Sequence, residues 1–219
     1  MSKYELVIFD LDGTILDTIE DLKDSTNHAL REHGFEEKSL NQIRSYVGNG
    51  IRRLIIQCLP ENTEETVVDK LFESFNLYYK QHCMDKTKAY DGVEGLIEEL
   101  HKLGIKTAVL SNKADYAVQI LCEKYFPDCF DYAAGMKENV RRKPYPDGVY
   151  NVLQALGTAA EKAVYIGDSE VDILTASNAG VDCIAVNWGF RDHQILVENG
   201  AKSIASDMNS LLELIKNAD

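Results

Sequence analysis

The chain has 219 residues, of which 45% are hydrophobic and 27% are charged, a balance typical of globular proteins and unlike that of disordered chains. Its 23 basic and 36 acidic residues give a formal net charge of −13, which repels nucleic acids and anionic membranes at long range. No apolar run approaches the roughly 18 residues of a membrane-spanning helix, and the first residues lack the apolar stretch of a secretory signal. We therefore expect a cytoplasmic protein without a nucleic-acid or membrane partner.

Four short apolar runs rich in β-branched residues predict buried parallel strands, at residues 6–9, 106–110, 163–166 and 183–186. Each run is followed by a polar or glycine-containing turn, and helical patterns separate the runs. This alternation predicts an α/β fold with a Rossmann-like, doubly wound parallel sheet. Ligands of such sheets bind beyond the carboxyl ends of the strands, so we expect the four turns to face one crevice.

The chain between the first two strands, from about residue 17 to residue 83, contains no convincing strand. Three polar pairs have the spacing of a helix N-cap and its partner three residues later: Asp17 with Glu20, Ser39 with Gln42, and Asn62 with Glu65. They predict three or four helices. We therefore predict a core domain of residues 1–16 and 88–219, and a small all-helical cap domain of residues 17–87 inserted after the first strand.

Five cysteines are scattered along the chain, at positions 58, 83, 122, 129 and 183. Their number is odd and no two have the C-x-x-C spacing, so the pattern indicates neither a disulfide framework nor a zinc site. We expect reduced thiols, most of them buried.

The turn after the first strand, DLDGT, places Asp10 and Asp12 two residues apart, where both carboxylates can project to the same side. One interpretation is a simple turn, since Asp and Gly are common turn formers. The other is a pair that performs phosphoryl transfer. A carboxylate such as that of Asp10 can attack phosphorus and later leave, while the carboxyl of Asp12 can protonate the departing oxygen and deprotonate the attacking water.

Two further segments can bind an anion. Ser111 and Asn112 follow the second strand, just before a helix predicted to begin near Ala114. A hydroxyl and backbone N–H groups at this point can bind phosphate, although either residue could instead be a helix N-cap. Lys143 precedes Pro144, which biases it away from a helical conformation. This lysine is either aimed inward or is one of the many solvated surface lysines.

The turn after the third strand, GDSEVD, supplies Asp168 and Asp172, which are four residues apart and therefore neighbours on one helix face. With Asp10 and Asp12 they would bring four carboxylates to one crevice, where they would repel one another. A divalent cation would relieve this repulsion, and carboxylate oxygens suit Mg²⁺, which also binds substrate phosphate. Lys143 would offset the remaining negative charge.

Four motifs occur in order at the strand ends: DLDGT, SN, KP-x-P and GDS-x-x-D-I-x-x-A-x-x-A-G. Together they resemble the four motifs of the haloacid dehalogenase superfamily over essentially the whole chain. The helical insert resembles the helical-cap subclass of that superfamily. The closing stretch NWGFRDHQILVENGA is similar to that of phosphoglycolate phosphatases and their close relatives.

The resemblance implies a role for each matching position. Asp10 would be the nucleophile that becomes an aspartyl phosphate, and Asp12 would be the acid and base. Ser111 would bind the phosphoryl oxygens, and Lys143 would neutralise the phosphate and the nucleophile. Asp172 would support Lys143 or the metal ion. The Mg²⁺ ligands would be the Asp10 carboxylate, the backbone carbonyl of Asp12, and Asp168.

In this superfamily the cap selects the leaving group. The most unusual segment of the predicted cap is YVGNGIRR, in which Gly48, Asn49 and Gly50 form a loop before a helix that carries Arg52. Such a substrate-binding loop could donate N–H groups to a small carboxylate such as that of 2-phosphoglycolate. The other interpretation is a flexible hinge loop followed by solvated arginines.

We therefore expect a Mg²⁺-dependent phosphomonoester hydrolase that acts on a small phosphorylated metabolite, with 2-phosphoglycolate as the first candidate. A related enzyme with another leaving group is the alternative: an inorganic pyrophosphatase, a nucleotidase or a β-phosphoglucomutase. A non-catalytic protein that binds phosphate or Mg²⁺ for regulation is a third alternative, although such a protein has no need of Asp12.

Overall fold

The computed structural model describes residues 2–218 and divides into two units. One unit contains the residues up to Leu16 and those from Ala89 onward, and the other contains residues Asp17–Lys88. The second unit therefore ends one residue later than the predicted domain of residues 17–87. The two segments that join the units, β2 (Leu16–Asp17) and β3 (Lys88–Ala89), pair as a two-stranded sheet.

The first unit is built on a six-stranded sheet with the order β5-β4-β1-β6-β7-β8. Its strand pairs are parallel. The strands are β1 (Leu6–Phe9), β4 (Lys106–Ala114), β5 (Tyr132–Met136), β6 (Ala163–Gly167), β7 (Asp182–Val186) and β8 (Ile204–Ala205). The order reverses at β1, which has β4 on one side and β6 on the other, so the predicted doubly wound sheet is confirmed.

Helices cover both faces of this sheet, because alternate strand residues point to opposite sides. Val7 and Phe9 of β1 belong to the apolar core beneath helices α5, α6 and α10. Leu6 and Ile8 belong to the core beneath α7 and α8. The helices of this unit are α5 (Val93–Lys102), α6 (Asp115–Tyr125), α7 (Asp147–Leu156), α8 (Glu170–Ala179), α9 (His193–Glu198) and α10 (Met208–Lys216).

Strand β4 is longer than the sequence predicted. The expected strand ends at Leu110, whereas β4 continues to Ala114 with a register shift against β5 between these two residues. Ser111 and Asn112 therefore lie in the irregular end of a strand and not in a turn. Neither is a helix N-cap, since α6 is preceded by Ala114, and that alternative was wrong.

The second unit is helical except at its two ends. Its helices are α1 (Ile19–Glu32), α2 (Leu40–Tyr46), α3 (Ile51–Cys58) and α4 (Glu65–His82). The predicted capping pair of Ser39 and Gln42 is confirmed at the start of α2. The other two predicted N-caps were wrong: α1 begins after Thr18 and α4 after Glu64. Asn62 instead has a left-handed backbone, with φ of 63°.

The five cysteines form no disulfide, as predicted. Cys58, Cys83 and Cys122 are buried, and Cys129 and Cys183 are half-buried. Among the helices of residues 2–218, none is both long and apolar enough to cross a membrane.

Candidate active site

Three acidic side chains meet beyond the carboxyl ends of β1 and β6. Asp10 follows β1, and its N–H donates to the carbonyl of Ile166 in β6 at 2.8 Å. Asp168 follows β6, and Asp172 lies in the first turn of α8. One carboxylate oxygen from each of the three lies within 4.8 Å of the others, and all three residues are buried. The fold thus brings together acids that are about 160 positions apart in the chain.

Lys143 is aimed into this cluster and is only 5% exposed. Its Nζ lies 2.9 Å from Oδ1 of Asp10 and 2.7 Å from Oδ1 of Asp172. It also donates to the hydroxyl of Tyr165 at 3.1 Å. Of the two interpretations of this lysine, the structure supports the inward one. Burying a charge is unfavourable unless the charge is paired, and the acids around Lys143 pair its buried ammonium.

Asn112 holds the backbone of Lys143. Its Oδ1 accepts the Lys143 N–H at 2.8 Å, and its Nδ2 donates to the Lys143 carbonyl at 3.1 Å. The side chain of Asn112 is therefore engaged in placing the lysine. Its predicted contact with a substrate stays a prediction.

Asp172 uses both carboxylate oxygens within the protein. Oδ1 faces Lys143, and Oδ2 accepts the N–H of Ser169 at 3.1 Å and its hydroxyl at 2.6 Å. Gly167 makes room for this carboxylate, because a β-carbon at position 167 would lie 2.6 Å from Asp172 Oδ2. These contacts suit Asp172 to supporting Lys143, as the resemblance implies.

Asp12 is paired with a lysine that the sequence reasoning missed. Nζ of Lys113 donates to Oδ1 and Oδ2 of Asp12 at 2.8 and 3.1 Å. The Lys113 N–H donates to Oγ of Ser111 at 3.3 Å, and Ser111 is itself buried. The available signal was the spacing of Ser111 and Lys113, since residues two apart in a strand share a face.

Asp168 is held by the loop that follows β7. The N–H of Phe190 donates to Asp168 Oδ2 at 2.6 Å. Gly13 and Gly189 pack so closely on Asp168 that a β-carbon at either position would overlap its side chain. Sequence reasoning did not predict that these three residues hold Asp168. The contacts fix one oxygen of Asp168 and the direction of its carboxylate.

Burial and crowding shift the ionisation of the cluster. Burial raises the pKa of Asp10 to about 6; the charge of Lys143 opposes this shift and that of Asp172 adds to it. Burial raises the pKa of Asp168 well above its usual value, and the charges of Asp172 and Asp10 raise it further. Burial alone would lower the pKa of Lys143, but the neighbouring acids raise it well above its usual value.

A family model described as haloacid dehalogenase-like hydrolase matches residues 7–186. The chain belongs to this family. A phosphoglycolate phosphatase from Pseudomonas syringae pv. tomato is 28% identical over 215 residues, covering 95% of this chain and 78% of the relative. One from Aquifex aeolicus is 30% identical over 209 residues, covering 95% and 96%. A crystal structure of a candidate phosphoglycolate phosphatase from Lactobacillus delbrueckii subsp. bulgaricus has a TM-score of 0.93 and 39% identity, covering 98% and 99%.

The fold and the relatives together make the chain a phosphatase of the haloacid dehalogenase-like family. The expected superfamily resemblance is therefore confirmed. The non-catalytic alternative is set aside, because the chain belongs to a family of hydrolases. The expectation that such an enzyme acts on a small phosphorylated molecule agrees with the names of the relatives.

The acidic cluster of this haloacid dehalogenase-like phosphatase fits a divalent cation. Oδ1 of Asp10 is buried and, apart from its ion pair with Lys143, accepts no hydrogen bond from the described residues. Mutual repulsion among three nearby carboxylates is the condition that a bound cation relieves, and oxygen donors are those that Mg²⁺ prefers.

The predicted cap loop lies in the second unit, between α2 and α3. Gly48 and Gly50 have φ of 122° and 81°, a backbone region that favours glycine. Arg52, near the start of α3, pairs with Asp69 at 2.6 Å and with Glu65. This arginine is therefore already engaged within its own unit. The substrate contacts predicted for Arg52 and for the loop of Gly48, Asn49 and Gly50 stay predictions.

Proposed function

We propose that the enzyme is a Mg²⁺-dependent phosphomonoester hydrolase that works through an aspartyl phosphate on Asp10, with 2-phosphoglycolate as its substrate. The observation that carries the proposal is the buried contact of Lys143 with Asp10 and Asp172. It places a fixed positive charge beside Asp10, and apart from this ion pair Oδ1 of Asp10 accepts no hydrogen bond from the described residues. Such a carboxylate is poised to attack an electrophile.

The metal ligands would be the Asp10 carboxylate, the backbone carbonyl of Asp12, and Asp168. A bound Mg²⁺ would supply positive charge to the phosphoryl oxygens. Lys143 adds a second positive charge on the side of Asp10 and Asp172. Phosphoryl transfer depends mainly on such positioning and charge stabilisation.

In the first step, an oxygen of Asp10 attacks phosphorus and the bond from phosphorus to the leaving oxygen breaks. Asp12 gives its proton to that oxygen, so the leaving group departs as an alcohol. Ser111 would donate a hydrogen bond to a phosphoryl oxygen. The products of this step are the free alcohol and an aspartyl phosphate on Asp10.

In the second step, water attacks the same phosphorus. Asp12, now a carboxylate, takes a proton from the water, and the bond between phosphorus and Asp10 breaks. Inorganic phosphate leaves, Asp10 is again a carboxylate and Asp12 is again protonated. The cycle thus needs one residue that acts as acid and then as base.

The names of the relatives support 2-phosphoglycolate as the substrate, since several at 28–30% identity are phosphoglycolate phosphatases. Its leaving group, glycolate, carries a carboxylate that the N–H groups of the cap loop would bind. Pyrophosphate, nucleoside monophosphates and hexose phosphates are the competing substrates. Comparison of kcat/KM across these compounds, with Mg²⁺ present, decides among them.

The test uses wild type, Asp10→Asn and the control Glu123→Gln, an exposed carboxylate on α6. Wild type and control should release phosphate from 2-phosphoglycolate with Mg²⁺ and stop when EDTA is added. Asp10→Asn should be inactive while its circular dichroism spectrum stays native. A folded wild type that hydrolyses no member of the panel would remove the proposed function. Activity retained by Asp10→Asn would remove the covalent step.

A further inference from the structure

The site contains two buried lysines, of which only Lys143 has a role in the chemistry above. Lys113 is 4% exposed. A buried lysine loses both solvation and side-chain freedom, so its contacts must compensate. Its ammonium donates to both carboxylate oxygens of Asp12, at 2.8 and 3.1 Å. The partner of Lys113 is therefore the proposed acid and base.

The backbone of Lys113 is held as closely as its side chain. Gly135 of β5 lies so close to the Lys113 carbonyl that any β-carbon at position 135 would overlap it. The N–H of Gly135 also donates to Asp115 Oδ1 at 2.8 Å. The neighbouring strand thus fixes the point from which the ammonium of Lys113 reaches Asp12.

We propose that Lys113 is the positioning residue for Asp12, and that its effect can be measured by itself in the second step, when Asp12 takes a proton from water. This inference rests on the proposed function. An aspartate side chain has two rotatable bonds, and two hydrogen bonds to its two oxygens fix both rotations. Misplacement of a catalytic group by about 1 Å can cost on the order of 100-fold in rate.

The two steps can be separated with p-nitrophenyl phosphate. Its leaving group, p-nitrophenolate, departs without a proton, so the first step does not need Asp12. Hydrolysis of the aspartyl phosphate still does. Loss of Lys113 should therefore slow the second step and leave the first step nearly unchanged.

The experiment measures p-nitrophenol release with Mg²⁺ by stopped flow. Lys113→Met should show a burst of about one p-nitrophenol per enzyme, followed by turnover reduced by about 100-fold. Lys113→Arg should restore part of the turnover, because arginine also donates to both oxygens. Lys124→Met, which removes an exposed lysine on α6, is the control and should match wild type.

A second comparison tests whether Lys113 acts through Asp12. Asp12→Asn should give the same burst, and Asp12→Asn/Lys113→Met should hydrolyse the aspartyl phosphate no more slowly than Asp12→Asn alone. The double variant also avoids an unpaired Asp12 charge, so it keeps the test valid if Lys113→Met fails to fold.

Three results would overturn the inference: wild-type turnover by Lys113→Met, a burst slowed as much as the turnover, or additive losses in the double variant. Each of these results counts only if the wild-type enzyme is active in the same assay. A wild type that releases no p-nitrophenol and no phosphate would instead count against the proposed function itself.

Discussion

Gly189→Ala tests whether the loop after β7 sets the position of Asp168. A β-carbon at this position would lie 2.5 Å from Asp168 Oδ2 and would overlap the backbone oxygen of Gly13. Rotation of the Asp168 side chain could move Oδ2 but not its β-carbon, which would lie 2.3 Å away. The backbone of the DLDGT turn cannot move without shifting Asp10 and Asp12. The substitution adds one methyl group outside the set of residues that would touch the substrate.

The expected cost follows from this overlap. Inserting one carbon into a closely packed site typically destabilises a protein by about 1–3 kcal/mol. For a chain of this length, that loss corresponds to a fall in Tm of roughly 2–12 °C. Because Asp168 would be displaced, we also expect the Mg²⁺ concentration for half-maximal activity to rise by about 10- to 100-fold.

The assay combines urea unfolding with Mg²⁺ titration of phosphate release. Gly95→Ala is the matched control, because no atom lies within 4 Å of a β-carbon there and the residue sits inside helix α5. That variant should gain up to about 1 kcal/mol of stability and keep the wild-type Mg²⁺ response. If Gly189→Ala behaved like Gly95→Ala in both measurements, the loop would not position Asp168.

Two further predictions concern buried charge and buried thiols. Lys143→Met leaves Asp10 and Asp172 without their shared cation and should lower the free energy of unfolding in urea by about 3–5 kcal/mol; unchanged stability would contradict the ion pairing. Burial raises the pKa of Cys58 to about 11 and that of Cys122 to about 12. Native protein should therefore leave both thiols unreacted with Ellman's reagent at pH 8. Stability should fall as pH rises above about 8.5, where unfolded thiols ionise and buried ones do not; rapid native labelling of either residue would show that it is not buried.

Residues with a local sequence signal were predictable. Asp10 and Asp168 follow apolar runs that form β1 and β6, and the end of a parallel strand is where such folds place their ligands. Lys143 precedes a proline, which marked it as different from other lysines. The fold brings these three side chains into one buried cluster, as the four motifs implied.

Gly189 had no such signal, and Lys113 had only its spacing of two residues from Ser111. Lysine is a solvated residue in most proteins, and the partner of Lys113 is 101 positions away. Gly189 matters because a β-carbon at this position would overlap Asp168 and the backbone oxygen of Gly13, and only the folded backbone shows this overlap. In both cases the deciding contact is tertiary.

The missed strands have a similar explanation. β5 contains Ala133, Ala134 and Gly135, small residues with weak strand preference. It becomes a strand because β4 offers its backbone for pairing, and Gly135 allows close approach to Lys113. β8 has only two residues, which is too short for any periodic pattern to be recognised.

The second lysine changes the electrostatic balance of the site. The sequence analysis expected a divalent cation and Lys143 to offset the charge of four carboxylates, but four negative charges exceed these three positive ones. Lys113 supplies the missing positive charge and forms an ion pair with Asp12, whereas Lys143 forms ion pairs with Asp10 and Asp172. Asp10 and Asp12, the two carboxylates with proposed catalytic roles, thus lie beside different buried lysines. Asp168 alone among the four has no lysine within ion-pair distance in the described residues, which makes it the carboxylate with most to gain from a bound metal ion.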